Sequence, residues 1–228
     1  EAGQVPLANA VAIGRTARNI VLLGDQMQLE QPIQGSHPGD AGLSVLQYVL
    51  KDEAESIVDR PVFHPVVPPN YGLFLDVSRR MHPDVCQFIS ESIYEGRLGA
   101  HEDCRRILIE ETAGLKSHGI VFVPVEHEGN VQHSQEEVAE VQNLLASLIG
   151  KPYTDSKGNC RPLELSDFLF IAPYNAQVRA LADALPEGAK VGSVDRFQGQ
   201  EAAVCILSLC SSFGEYGGRG LGFILDRN

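Results

Sequence analysis

Apolar positions in this chain fall into short runs divided by polar turns. Asn19-Ile20-Val21-Leu22-Leu23-Gly24-Asp25 is an apolar run closed by Gly-Asp, the pattern of a buried strand that delivers polar residues at its carboxyl end. A Pro/Gly-rich loop from Pro32 to Gly42 then leads into Leu43–Leu50, whose spacing predicts an amphipathic helix. Pro61 to Pro69 holds four prolines and reads as an irregular connection. A boundary there divides the chain into residues 1–68 and 69–228. Gly72–Asp76 is a second predicted strand. Pro83 opens a helix at its first turn, where the missing N–H costs nothing, and this helix is expected to reach about Tyr94.

The second part is more regular. Gly119–Val125 reads as a strand, and Ser134-Gln135-Glu136-Glu137 has capping-box spacing ahead of Val138, Val141, Leu144, Leu145 and Leu148. Glu136, Glu137 and Glu140 are expected on the solvated first turns of that helix, where its dipole favours them. Asp155–Asn159 is a polar turn. Phe168–Ala172 (strand), Asn175–Leu185 (helix), Lys190–Val194 (strand) and Val204–Leu209 (strand) come in close succession. Such alternation predicts an α/β fold with a parallel sheet flanked by helices. Ligands gather at the carboxyl ends of strands in such sheets. That directs attention to Gly24-Asp25, Pro173-Tyr174-Asn175 and Asp195-Arg196-Phe197.

A length of 228 residues suits one large domain, or one domain plus part of another. Eighteen Lys and Arg against 30 Asp and Glu give a net charge of −12. That balance speaks against a basic face laid on duplex DNA, while leaving room for a narrow basic channel. Apolar runs such as Val204–Leu209 are far shorter than the ~20 residues of a membrane span, so no membrane partner is expected. The start at Glu1-Ala2-Gly3-Gln4 and the end at Asp226-Arg227-Asn228 are both expected to be cuts in a longer chain. Five cysteines without a CxxC pair, and scattered histidines, give no metal site. Cys205 and Cys210 are expected as small buried groups on an apolar strand, in a reducing cytoplasmic setting.

Four constellations carry candidate chemistry. Gly24-Asp25-Gln26-Met27-Gln28-Leu29 displays polar side chains after a strand, or is a plain turn. Arg79-Arg80-Met81-His82-Pro83 sets two guanidinium groups before a helix, suited to phosphate or to surface salt bridges. Ala172-Pro173-Tyr174-Asn175-Ala176-Gln177 offers an exposed aromatic and an amide for a base, or an ordinary helix cap. Ser193-Val194-Asp195-Arg196-Phe197-Gln198-Gly199-Gln200-Glu201 sets many polar residues between two apolar strands, a pattern that packing does not explain.

Taken in order with Glu1-Ala2-Gly3-Gln4, Ile93-Tyr94-Glu95-Gly96 and Gly222-Phe223-Ile224-Leu225-Asp226, these blocks resemble superfamily 1 helicases. The branch is the one that holds the nonsense-mediated-decay RNA helicase and the Okazaki-fragment-processing helicase–nuclease. The resemblance implies a RecA-like P-loop NTPase fold, with part of a first lobe and most of a second. It also implies ATP with Mg²⁺ between two lobes, and single-stranded DNA or RNA as partner.

By the same resemblance, Glu1 orients the water that attacks the γ-phosphate, Gln28 senses that phosphate, and Arg80 acts like an arginine finger. Gly24 and Asp25 lie on the nucleotide side. Gly199 and Glu201 bridge nucleotide sugar and strand, and Pro173, Tyr174, Asn175 and Ser193 face the strand. No G-x-x-x-x-G-K-[ST] occurs, and the glycines of Gly217–Gly222 lack the lysine of such a loop. The fragment alone is therefore expected to lack ATPase activity. Arg79 stands where the family often has an aromatic, and Gln200 where it often has a basic residue. A catalytically inactive docking module is the alternative. A fused nuclease in the parent has no carboxylate constellation here to support it.

Overall fold

The computed structural model describes residues 1–28, 38–55, 62–112 and 114–212. The chain divides into two compact units, Glu1–Val77 with Gln87–Gly99, and Ser78–Cys86 with the described part of Ala100–Arg227.

In the first unit a 3-10 turn, Ala2–Gln4, leads to α1 (Leu7–Gly14). A second 3-10 turn, Gly39–Gly42, precedes α2 (Val45–Val49). Helix α2 lies within the predicted Leu43–Leu50, shortened because Ser44 serves as its N-cap. Ser44 Oγ accepts from Gln47 N, and the Gln47 side chain accepts from Ser44 N, a reciprocal capping box. Ala2, Leu46 and Leu50 form a small buried core, with Leu22, Val45 and Val67 packed against it.

The short strands β1 (Val77–Ser78) and β2 (Gly99–Ala100) pair with each other. Helix α3 (Pro83–Ile93) lies between them in sequence and matches the helix predicted from Pro83.

The second unit holds the main core. After a 3-10 turn (Glu102–Arg106) and β3 (Leu108–Ile109), α4 (Gln135–Leu148) starts where Ser134 Oγ accepts from Glu137 N. Strands β4 (Pro152–Thr154) and β5 (Cys160–Pro162) make a hairpin and extend β3 into an antiparallel sheet. The predicted turn closes it, with Asp155 Oδ1 accepting from the N–H groups of Lys157 and Asn159. The sequence pattern predicts neither strand of this hairpin.

A parallel sheet is built from β6 (Phe168–Ile171), α5 (Asn175–Ala184), β7 (Lys190–Gly192), α6 (Val194–Phe197) and β8 (Val204–Leu207). Its order is β7-β6-β8, so Phe170 of the central strand pairs with Val191 on one side and Ile206 on the other. Val138, Val141, Leu145 and Leu148 of α4 and Leu181 of α5 close over Phe168 and Phe170 in one buried cluster. Each large side chain buried this way contributes about 1.5–3 kcal/mol. The α/β class with a parallel sheet and covering helices is the one predicted. Among the described residues, no helix is long and apolar enough to cross a membrane.

Three predicted strands are not strands in the structure. Residues 19–25, 72–76 and 119–125 join no ladder among the described residues. Leu73 is 90 % exposed, Phe122 82 % and Val21 81 %. An apolar run becomes a buried strand only when neighbours satisfy its backbone along its length and cover both faces. These runs have single contacts, such as Leu23 O with Ala2 N and Asp76 O with Gly99 N, and no continuous ladder among the described residues.

Candidate functional site

In the first unit the amino-terminal turn is built against the Gly24-Asp25 corner. Leu23 O accepts from the backbone nitrogens of Glu1 at 3.0 Å and Ala2 at 2.8 Å. The approach is so close that a Cβ on Gly24 would lie 2.6 Å from Ala2 N, and one on Gly3 would lie 2.1 Å from Asp25 O. Glycine at these two places is a steric demand.

Asp25 organises the rest of this corner. Its Oδ1 accepts from Met27 N at 2.9 Å, and its Oδ2 accepts from Gln28 Nε2 at 3.3 Å. The same Oδ2 accepts from Tyr94 Oη at 2.5 Å. Burial first, and then the bond to Asp25, push the Tyr94 phenol well above its ordinary pKa. Gln26 turns inward instead, donating to the carbonyls of His64 and Pro65. Glu1, Gly24 and Gln28 are exposed. The four predicted residues of this unit therefore cluster on one corner. Tyr94, from a block that matches the family without suggesting a role, is joined to them.

In the second unit Arg80 Nε donates to Glu201 Oε2 at 2.6 Å, across 121 residues of sequence. Side-chain exposures of 58 % and 67 % leave the pair in solvent. Gly199, at φ +77°, takes the left-handed conformation that glycine adopts without strain, in an exposed turn before Glu201. Arg196, on α6, is directed back to β7, with Nη1 donating to Val191 O.

Asn175 is the exposed first residue of α5, Pro173 is half-buried, and Ser193 is the N-cap of α6. Tyr174 corrects an expectation. It is 8 % exposed and is the N-cap residue of α5, so of the two readings of this turn the helix cap holds and the open aromatic platform does not.

Glu137 is a second correction. Its side chain is only 14 % exposed, not a solvated group on a helix start. Its carboxylate accepts from Ser208 Oγ at 2.5 Å and Cys210 N at 2.9 Å, and lies 3.0 Å from His127 Nε2. Burial, and then the charge of Glu137, push the Cys210 thiol up to about 12. Cys210 is buried as expected, though it lies beyond the end of β8, whereas Cys205 on that strand is exposed. All five cysteines are unbridged.

His82, Asp84 and His118 also come together, with possible ligand atoms within 4.8 Å of one another. His118 Nδ1 is 2.9 Å from Asp84 Oδ2. The two imidazoles stack at 4.1 Å with 25° between their planes. Lone pairs lie in the ring plane, so stacked rings direct theirs side by side and not at one ion. His82 Nδ1 already accepts from Asp84 N. Burial and the neighbouring His118 hold the His82 pKa below its usual value. Leu29 and residues 217–226 of the motif blocks lie outside the described residues.

Comparison with known proteins places this geometry. A family model described as an AAA domain matches residues 58–228. DNA polymerase alpha-associated DNA helicase A of Schizosaccharomyces pombe is 25 % identical over 85 % of the chain and 28 % of its own length. A regulator of nonsense transcripts 1 homolog of Arabidopsis thaliana is 29 % identical over 92 % of the chain and 16 % of its own length. DNA replication ATP-dependent helicase/nuclease DNA2 of Gallus gallus is 23 % identical over 84 % of the chain and 17 % of its own length. The chain thus spans less than a third of each of these relatives. With three-quarters of its residues inside the matched model, the chain belongs to this AAA-domain family and is a superfamily 1 helicase region.

Proposed function

We propose that this chain is part of an ATP-driven helicase or translocase that moves along single-stranded DNA or RNA. The observation that carries the reading is the Arg80–Glu201 contact. Two charged residues from separate blocks converge in solvent. The Arg80 guanidinium already holds an oxyanion, the Glu201 carboxylate, so its donor set fits a phosphate oxygen equally well.

In this reading Arg80 stabilises charge that develops on the transferred phosphoryl group, an effect worth ~10³–10⁵ in rate in related NTPases. Glu1, anchored through its backbone to Leu23 O, orients the attacking water. Gln28, tied to Asp25, senses the γ-phosphate, with Gly24 and Asp25 shaping the corner that carries it. Mg²⁺ bound with ATP would neutralise part of the phosphate charge. Gly199 and Glu201 serve the nucleotide sugar and the strand. Pro173, Asn175 and Ser193 face the strand, while the buried Tyr174 shapes the turn that presents Asn175. Backbone contacts of this kind need few cations, so a net charge of −12 is compatible with strand binding. The division at about residue 68 into parts of two lobes, and a reducing cytoplasmic setting for the five unbridged cysteines, belong to the same proposal.

The test is ATP turnover by the protein encoded by the full reading frame, with and without single-stranded DNA and RNA side by side. Strand-stimulated hydrolysis is expected. Absence of turnover under every condition overturns the reading in favour of a catalytically inactive docking module.

A further inference from the structure

The cluster around Glu137 does more than start a helix. Capping α4 requires only Ser134, whose Oγ accepts from Glu137 N at 3.1 Å. The Glu137 carboxylate reaches across instead, to Ser208, Cys210 and His127. Burying a carboxylate is costly unless hydrogen bonds compensate for lost water, and three donors converge here to do so.

The segment that receives these bonds is itself constrained. Ser208 N donates to Ile171 O, continuing the pairing of β8 with β6, and Cys210 then turns at φ +53°. That left-handed conformation is uncommon for a residue with a side chain and is held by its surroundings. Two residues on, Ser212 Oγ accepts from Asn130 N at 3.0 Å and lies 2.7 Å from His127 Nδ1.

Gln177 ties this turn to α5. It is fully buried, its Oε1 accepts from Ser134 N, and its Nε2 donates to Ser134 O and to Ser208 Oγ at 2.8 Å. Gln177 lies only two positions along α5 from the exposed Asn175. The network therefore joins the start of α4, the start of α5 and the turn after β8 through charge-assisted hydrogen bonds.

We infer that Glu137 is a positioning residue for strand binding: its buried carboxylate, through Ser208 and Gln177, fixes the first turn of α5 and with it Asn175. This rests on the proposed reading of Asn175 as a strand-facing group. Glu137 is too buried to touch strand or nucleotide, so its effect passes through the elements it ties together. Recognition groups lose affinity when their supporting contacts loosen.

The experiment uses the full-length protein with poly(dT) and poly(U) as strand probes. It compares wild type with Glu137→Gln, which keeps the shape but removes the charge and one of the two acceptor oxygens. The strand concentration for half-maximal ATPase stimulation should rise about tenfold, a change of ~1.4 kcal/mol. Basal turnover and turnover at saturating strand should stay within about twofold. Ser208→Ala, which removes one donor and leaves two, should shift the same concentration in the same direction by about twofold to fivefold. It also supplies the answer if Glu137→Gln does not fold. A wild type stimulated by strand, with variants of unchanged strand dependence, overturns the inference alone. Equal losses of basal and stimulated turnover overturn it as well, since they mark a merely structural role. A wild type that neither strand stimulates overturns the helicase reading, and this inference with it.

Discussion

Arg80 and Glu201 are bonded at 2.6 Å although 121 residues separate them in sequence. The contact is exposed, and ion pairs in solvent contribute little to stability because water and salt screen them. Its interest lies in which groups it places together: a guanidinium suited to phosphate and a carboxylate that keeps it occupied. Glu201→Ala should leave the thermal unfolding midpoint within about 4 °C of wild type, as expected for a pair worth at most ~1 kcal/mol. A drop of about 8 °C or more in a calorimetric scan would show that the pair is structural.

Tyr94 and Asp25 form the opposite kind of contact, half-buried and short. The folded-state pKa of the phenol is raised above its unfolded value of 10.0. The folded state therefore keeps this proton after the unfolded chain has begun to lose it. The stabilisation is complete below pH 10 and is lost as pH rises from there through the raised folded-state value. Stability measured in urea should fall from about pH 10 upward in wild type, and part of that fall should vanish in Tyr94→Phe. At neutral pH the same variant should be weaker by about 1.5–3 kcal/mol, the range for a hydrogen bond to a charged group. Equal alkaline slopes in the two proteins would contradict the assignment.

Thiol chemistry reads the second unit directly. Cys210 is buried beside Glu137, with its pKa pushed up to about 12, and burial raises the thiols of Cys86 and Cys104 as well. Thiolate is the reactive form. Iodoacetamide at neutral pH should therefore label the exposed Cys160 well before these three, as mapped by mass spectrometry. Native-state labelling of Cys210 at the rate of Cys160 would show that the turn after β8 is open.

Periodicity made the second unit largely legible in the sequence. Helices α4 and α5 and strands β6, β7 and β8 each carry their own apolar pattern, and their alternation implies parallel pairing around Phe168 and Phe170. The hairpin of β4 and β5 escaped because its strands are three residues long and one begins at Pro152, too short for a period to register. The runs at 19–25, 72–76 and 119–125 have strand composition, but strand formation depends on partners that no local pattern reveals.

The candidate site divides in the same way. Motif order picked out Glu1, Gly24, Asp25 and Gln28, which cluster, and Arg80 and Glu201, which touch. It did not show Tyr94 reaching Asp25 from 69 residues away. Nor did it show that Glu137, three residues into a capping box, turns inward to Ser208 and Cys210. Capping spacing specifies the helix start and leaves the direction of the third side chain to tertiary contacts.

The most direct test of the helicase reading is strand-stimulated ATP turnover by the full-length protein carrying Arg80→Ala. If Arg80 stabilises charge on the transferred phosphoryl group, kcat should fall by about 10³-fold or more, while ATP affinity changes by less than about fivefold. Turnover equal to wild type, at saturating strand and ATP, would contradict it.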